Sequence, residues 1–215
     1  MSLRYLIRIS VLALLGLAIS SCAPKSSDDC GFVQNVYGQR ISWKTTATPI
    51  TVYIDGSVPQ QLRPAIHRAA ASWETSLGKK MFNIVEENTV SSPQRDKKNG
   101  IYFLSTWESD RRSEQGRTSV YWAGDEIQEA DIRINGEDFS YYDSAQNENQ
   151  LVRTTSTSSS DGYNFEALIL HELGHFLGLK HRDLGGTVME KELGAYTDRI
   201  HLASVDTQAV QCEYK

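Results

Sequence analysis

Three of the chain's five histidines lie in the eleven residues HELGHFLGLKH, at positions 171, 175 and 181, together with one glutamate. His171 and His175 are four residues apart, so on a helix both side chains project from one face and can reach one ion. A continuing helix would rotate His181 about 280° away from His171, so the helix must end first. Gly178 is placed to end it, because glycine tolerates the left-handed conformation that terminates helices.

Three imidazoles form a ligand set that holds Zn²⁺ and leaves one coordination position open for water. Glu172 directly follows the first histidine and is expected beside that water, where it can accept a proton as zinc lowers the pKa of the water. The proton then returns to the departing amine of a cleaved peptide bond. A helix whose histidines only pack or face solvent would leave Glu172, Gly178 and His181 unexplained. We therefore predict one catalytic zinc, with Glu172 as the general base.

The pattern His-Glu-x-x-His-x-x-Gly-x-x-His is the extended motif of the metzincin zinc endopeptidases, and the chain resembles that family. Met189, in GGTVME, falls where these enzymes have their Met-turn. Its eight-residue step from His181 is most similar to the matrixin branch, the matrix-metalloproteinase-like group. The resemblance implies that Met189 forms an apolar floor beneath the ligands, and that Asp206 on the last helix hydrogen-bonds the Met-turn.

The resemblance also implies the fold class, a metzincin-like α/β or α+β architecture. Its parts are a twisted, mostly parallel sheet with one antiparallel edge strand, two long helices, and a small C-terminal subdomain with the Met-turn and a terminal helix. Matrixins commonly have Ser or Thr after the third histidine and proline soon after the methionine, whereas this chain has Arg182 and Glu190-Lys191-Glu192 there. We therefore expect a different wall for the specificity pocket.

Only His67 and His201 lie outside the motif, which is too few for the second, structural zinc of animal matrixins. Both are expected at the surface, since neither has a partner at ligand spacing. Six of the seven carboxylates between residues 125 and 143 form an acidic stretch that could hold calcium, although solvated loop charges are the commoner explanation. They are Asp125, Glu126, Glu129, Asp131, Asp138 and Asp143.

Local patterns predict the elements that must position the motif. Apolar residues recur at helical spacing from Pro59 to Gly78, and a largely buried second helix is expected to begin near Asn164. A third helix is predicted from Ala203 to Tyr214. Strands are predicted at 50–54, 82–85, 101–105, 118–122 and 131–134. By the resemblance, residues 118–122 form the edge strand above the cleft, where an extended peptide can pair.

The chain opens with two arginines and then an apolar run from Ile9 to Ile19, which is typical of an export signal over residues 1–21. This run is shorter than the roughly 18 residues of a membrane-spanning helix. The junction Ile19-Ser20-Ser21-Cys22 resembles a bacterial lipobox, so Cys22 is expected to be lipidated; ordinary secretion is the alternative. Residues 22–49 would then be an anchor and spacer, and 50–215 the catalytic domain.

Lipidation of Cys22 would leave Cys30 and Cys212, which we expect to form a disulfide in an oxidising compartment. A rival hypothesis makes Cys30 an inhibitory zinc ligand, because Cys-Gly also occurs in certain protease prosegments. Ala23, rather than aspartate, follows Cys22 and favours the outer membrane of a bacterial envelope.

The formal net charge is −5, or −7 without residues 1–21, which contain two arginines and no acid. Nothing in this balance favours a nucleic-acid partner. We expect a monomer that acts on a protein or peptide and meets the membrane through its lipid anchor only. The main hypothesis is a zinc endopeptidase. A non-catalytic peptide- or metal-binding lipoprotein is disfavoured by the intact Glu172. A cell-wall peptide hydrolase would use the same zinc chemistry, and the residues do not separate it from the main hypothesis, although an edge strand suited to extended polypeptide favours proteins.

Overall fold

The computed structural model describes residues 28–146, 150–153 and 160–215. The predicted signal sequence, Cys22 and most of the polar stretch 154–162 lie outside the described residues. Among the helices that are described, none has the length and apolar character that crossing a membrane requires.

A five-stranded sheet in the order β2-β1-β3-β5-β4 forms the centre of the fold. Its strands are β1 (Ile50–Ile54), β2 (Phe82–Glu86), β3 (Gly100–Leu104), β4 (Gly116–Ala123) and β5 (Glu126–Asn135). All neighbours are parallel except β4, which runs antiparallel to β5 at the edge. The predicted fold class, a mostly parallel sheet with one antiparallel edge strand, is confirmed.

Helices α1 (Arg63–Leu77) and α2 (Phe165–Phe176) pack against each other beside this sheet. The sequence predicts one continuous helix from Pro59. The structure instead has a short 3-10 turn at Gln60–Leu62, because the amide of Leu62 donates to the Pro59 carbonyl before the α-helix begins. Gly78 ends α1 in the left-handed conformation, at φ 66°, as its position predicts. Helix α3 (Ser204–Tyr214) closes the chain.

A second, two-stranded parallel sheet joins β6 (Ser140–Tyr142) to β7 (Gly162–Asn164) and was not predicted. Each strand has only three residues, so neither provides a periodic pattern that could be recognised. Buried Tyr141 fixes β6 to the main sheet region, since its hydroxyl contacts the Gln115 carbonyl at 2.8 Å. Strand β7 leads directly into α2 and therefore sets where that helix starts.

Residues 28–43, the N-terminal segment, fold onto the domain instead of acting as the spacer that the sequence predicts. Phe32, Ile41 and Trp43 are all buried in the core. The Trp43 indole donates to the carbonyl of Phe176 at 2.8 Å, satisfying a carbonyl at the end of α2. The segment's apolar residues are too widely spaced to read as a helix or strand, and their partners lie more than a hundred residues away. A disulfide joins Cys30 to Cys212.

Five of the six acidic residues that the sequence singles out between 125 and 143 contact cations or backbone amides. Asp143 and Asp138 contact Arg68 and Arg112, and other pairs are Asp125 with Lys44, Glu129 with the Lys97 amide, and Asp131 with the Gly100 amide. Glu129 and Asp131 are buried on β5. Calcium binding at these carboxylates stays a prediction.

Asp131 should make the fold sensitive to pH. Burial raises its pKa from 3.8 to about 6, with Glu129 and Asp96 adding to the rise and the Gly100 hydrogen bond opposing it. A folded-state pKa above the unfolded one gives a contribution that is fully present below about pH 4 and lost as the pH rises through about 6. Asp131→Asn is therefore expected to gain about 3 kcal/mol of stability over wild type at pH 8, but not at pH 3.5.

Urea unfolding at both pH values measures this gain. Asp110→Asn is the control, since Asp110 has a side chain that is 76% exposed and the substitution should change little at either pH. A stability difference between Asp131→Asn and wild type that is independent of pH would contradict the prediction.

Candidate active site

Helix α2 carries the first two histidines, and its start is fixed by Asn164. The Asn164 side chain caps the helix by accepting from the Ala167 amide at 3.2 Å. Nearly every residue of α2 is buried, as its apolar sequence predicts. At its other end, the Tyr214 hydroxyl donates to the Leu177 carbonyl at 2.5 Å. Both ends of the helix are therefore anchored by other parts of the fold.

The structure brings His171, His175 and His181 together. The Nε2 atom of His175 lies 3.0 Å from that of His171 and 3.0 Å from that of His181, and the third separation is 3.3 Å. Tetrahedral zinc with bonds of about 2.05 Å would place two ligand nitrogens about 3.3 Å apart. The three imidazoles therefore fit one zinc ion, and among the described residues they are the only group of three or more metal-ligating side chains that converge.

Backbone carbonyls fix the orientation of two of these rings. The Nδ1 atom of His171 lies 2.7 Å from the Val188 carbonyl, and that of His175 lies 2.7 Å from the Leu179 carbonyl. A carbonyl can only accept, so Nδ1 carries the proton and Nε2 presents its lone pair. Burial is the main cause that lowers the pKa of all three imidazoles, and the pKa of His171 falls well below 6.5. The neutral form, which binds metal, is favoured.

Gly178 ends the helical path and turns the chain toward His181. Its φ is +102°, and a side chain there would collide with the backbone carbonyl of Ile41. The Leu179 amide donates to the Gly174 carbonyl at 2.9 Å, which closes the last turn. This position therefore requires glycine for two reasons: the backbone has a positive φ, and the N-terminal segment approaches too closely for a side chain to fit.

Met189 is buried directly beneath α2. A side chain at Gly174, which lies between the two histidines of the helix, would collide with the Met189 sulfur. Asp206 on α3 holds the preceding residues, since its carboxylate accepts from the Thr187 hydroxyl and from the Val188 amide. Val188 in turn orients His171. Met189 thus lies against the helix that carries two of the histidines, and Asp206 hydrogen-bonds the two residues that precede it.

Glu172 is buried and faces the edge strand β4. The Thr118 hydroxyl donates to Glu172 Oε2 at 2.6 Å. A side chain at Gly116 would come within 2.9 Å of Oε1, so the absence of one there leaves room for the carboxylate. Burial raises the pKa of Glu172 to about 7, although the hydrogen bond from Thr118 lowers it. A carboxyl group with this pKa can take up and release a proton near neutral pH.

Sequence reasoning missed three residues at this site, namely Gly116, Thr118 and Gly174. Gly174 is visible inside the motif, but its role depends on Met189, fifteen residues later. Thr118 and Gly116 act across the gap between β4 and α2, and no local pattern connects them to Glu172. The sequence offered one signal only, because Thr118 lies on the predicted edge strand 118–122 and Gly116 lies two residues before it.

The comparison with protein families agrees with this geometry. The matrixin family model, Peptidase_M10, matches residues 43–215. The chain belongs to the matrixin family. Membership implies a zinc metallopeptidase, and the histidine cluster is consistent with its zinc site. No curated protein sequence matches the chain significantly.

The chain departs from the matrixin pattern after the Met-turn, where an ion pair replaces the usual proline. The Arg199 guanidinium lies 2.8 Å from Glu190 Oε2 and also donates to the carbonyls of Glu190 and Glu192. Only 12% of the Arg199 side chain is exposed. Arginine therefore shapes the backbone of residues 190–192, where the sequence predicts an altered pocket wall.

The two histidines outside the motif lie away from the metal centre. His67 is 46% exposed and lies 3.1 Å from Glu86, and His201 is exposed. Among the described residues, neither joins the cluster of three imidazoles.

Gly174→Ala tests the contact between α2 and Met189. Alanine favours helices over glycine by about 1 kcal/mol, so the substitution would stabilise the protein if space were available. The collision with the Met189 sulfur should instead destabilise it by about 2 kcal/mol and weaken zinc binding. Denaturant unfolding and zinc titration measure both effects.

Gly185→Ala provides the matched control, because a side chain at Gly185 meets no atom within 4 Å. It is expected to leave zinc affinity unchanged. A stabilised Gly174→Ala protein with normal zinc affinity would show that Met189 does not support the ligands in this way.

Proposed function

We propose that this matrixin is an endopeptidase that hydrolyses peptide bonds in extended segments of protein substrates. The observation that carries the proposal is the convergence of three imidazoles, two from α2 and one from the turn that follows it, beside a helix that also directs Glu172 toward the edge strand. Each residue has a separate role. His171, His175 and His181 would hold the zinc, and Glu172 would transfer protons without binding it.

A zinc ion held by His171, His175 and His181 would lower the pKa of a bound water molecule and would polarise the carbonyl of the substrate. Glu172 accepts a proton from water and then donates it to the nitrogen of the departing amine. Because Thr118 occupies Oε2, we assign the proton transfers to Oε1. Burial favours the protonated carboxyl group enough for it to act as an acid after it has acted as a base.

The position of β4 at the edge of the sheet supports the proposal that the substrate is an extended peptide. Within the described residues, β4 pairs with β5 on one side, and no strand pairs with its other side. An extended peptide can add to such an edge through backbone hydrogen bonds, which place its carbonyls at regular intervals. Thr118 lies on this strand and contacts Glu172, so a peptide added there would pass the catalytic carboxylate.

Glu172→Gln should lower the rate of cleavage of an unfolded protein such as casein by at least about 100-fold, because the amide cannot accept the proton. Zinc content should remain about one ion per chain, since Glu172 is not a ligand. Glu166→Gln is the matched control: Glu166 is equally buried in α2 but pairs with Arg68 at 2.6 Å. It should retain activity.

Wild-type protein that binds zinc but cuts neither casein nor a cell-wall peptide would contradict the assignment and favour a binding module. Cleavage of the cell-wall peptide but not of casein would change the proposed substrate class from proteins to cell-wall peptides. Equal activity of Glu172→Gln and wild type would remove Glu172 from the mechanism.

We also propose that Cys22 is lipidated and holds a monomeric domain at the bacterial envelope, on the outer membrane. The lipobox-like junction and the short apolar run of residues 9–19 support this proposal. The alternative is ordinary secretion, with Cys22 removed or unmodified.

Cys22→Ala should move the expressed chain from the membrane fraction to the soluble fraction, because the substitution removes the acylated thiol. Ser21→Ala, which keeps a small residue before the cysteine, should leave the chain in the membrane fraction. Fractionation with a high-salt wash separates anchored from electrostatically bound protein. Wild type that is released by the wash would contradict lipidation.

A further inference from the structure

The N-terminal segment lies against residues 178–181, the ligand turn that carries His181. The Val33 amide donates to the Gly178 carbonyl at 2.9 Å, and the Lys180 amide donates to the Gly31 carbonyl at 2.9 Å. These two bonds form an antiparallel bridge that pairs Phe32 with Leu179. Backbone on both sides of Leu179 is therefore tied to the segment.

Side chains strengthen the same contact. Phe32 is fully buried and Leu179 is 2% exposed, so the bridge closes over apolar surface. Lys180 Nζ lies 2.5 Å from Asp29 Oδ2, which adds an ion pair beside the backbone bonds. The carbonyl of Ile41 lies so close to Gly178 that no side chain fits between them.

The ligand turn controls two of the three zinc ligands. It ends at His181, and the Leu179 carbonyl accepts from His175 Nδ1 at 2.7 Å. Groups that hydrogen-bond to metal ligands fix their orientation and affect metal affinity. On its other side the turn is tied to the Met-turn, because the Arg182 amide donates to the Met189 carbonyl at 2.9 Å.

We propose that the N-terminal segment is a positioning element for zinc, and that the disulfide between Cys30 and Cys212 holds it in place. Cys30 lies in the segment and Cys212 lies on α3, so the bond fixes the segment to the helix whose Asp206 supports the Met-turn. The proposal rests on the proposed function in taking the three histidines as zinc ligands. It follows that zinc binds with full affinity only in chains in which the disulfide has formed.

Val33→Pro tests the proposed role of the N-terminal segment by removing one of its hydrogen bonds to the ligand turn. Proline has no amide hydrogen, so the bond to the Gly178 carbonyl is lost, while the extended conformation of Phe32 suits a residue before proline. Zinc affinity, measured by competition with a chromogenic chelator, is expected to fall about tenfold. This readout does not require catalysis.

Two variants serve as matched controls. Val33→Ala removes the side chain but keeps the amide, so its zinc affinity should stay within about twofold of wild type. Val36→Pro introduces proline three residues later, at the second position of the turn in which the Gly38 amide donates to the Asn35 carbonyl. Val36 is 93% exposed, and its variant should also bind zinc normally.

A double variant tests the role of the disulfide. It carries Cys30→Ser and Cys212→Ser, and its zinc affinity should also fall about tenfold. Equal zinc affinities for Val33→Pro and Val36→Pro would overturn the role of the segment, and wild-type affinity in the serine pair would overturn the role of the disulfide. Wild type that binds zinc tightly but cuts nothing would contradict the proposed function alone.

Discussion

Three imidazole nitrogens lying 3.0 to 3.3 Å apart set the constraint on which the rest of this structure depends. Without a metal, such nitrogens direct lone pairs at one another in a partly buried site, so they stay together only if the backbone holds them there. Helix α2 fixes two of them by its own geometry. The third comes from a turn with no helical support, and this turn is where the fold adds its other contacts.

Helix α3 links those contacts although it contributes no zinc ligand. Asp206, in its first turn, holds Val188, whose carbonyl orients His171. Cys212, in its last turn, holds the N-terminal segment, which borders the ligand turn. The Tyr214 hydroxyl completes the end of α2. A helix at the end of the chain and a segment near its start therefore support the metal centre together.

Sequence alone predicted the parts of the site that follow from local spacing. The step from His171 to His175 fixes a common helix face, and Gly178 indicates where the helix must end. The pairing of β6 with β7, the hydrogen bond from Thr118 to Glu172, and the packing of residues 28–43 could not be predicted. Each depends on contact between distant parts of the chain, and Phe32 becomes recognisable as a core residue only when Leu179 is seen opposite it.

X-ray absorption at the zinc edge of the purified protein identifies the atoms bound to the metal and would show whether the three histidines hold it. Ligation by these histidines requires about one zinc per chain with three imidazole nitrogens at about 2.0 Å and one further light ligand. Sulfur at about 2.3 Å would contradict it, since a cysteine thiolate would then occupy the position assigned to an imidazole or to water.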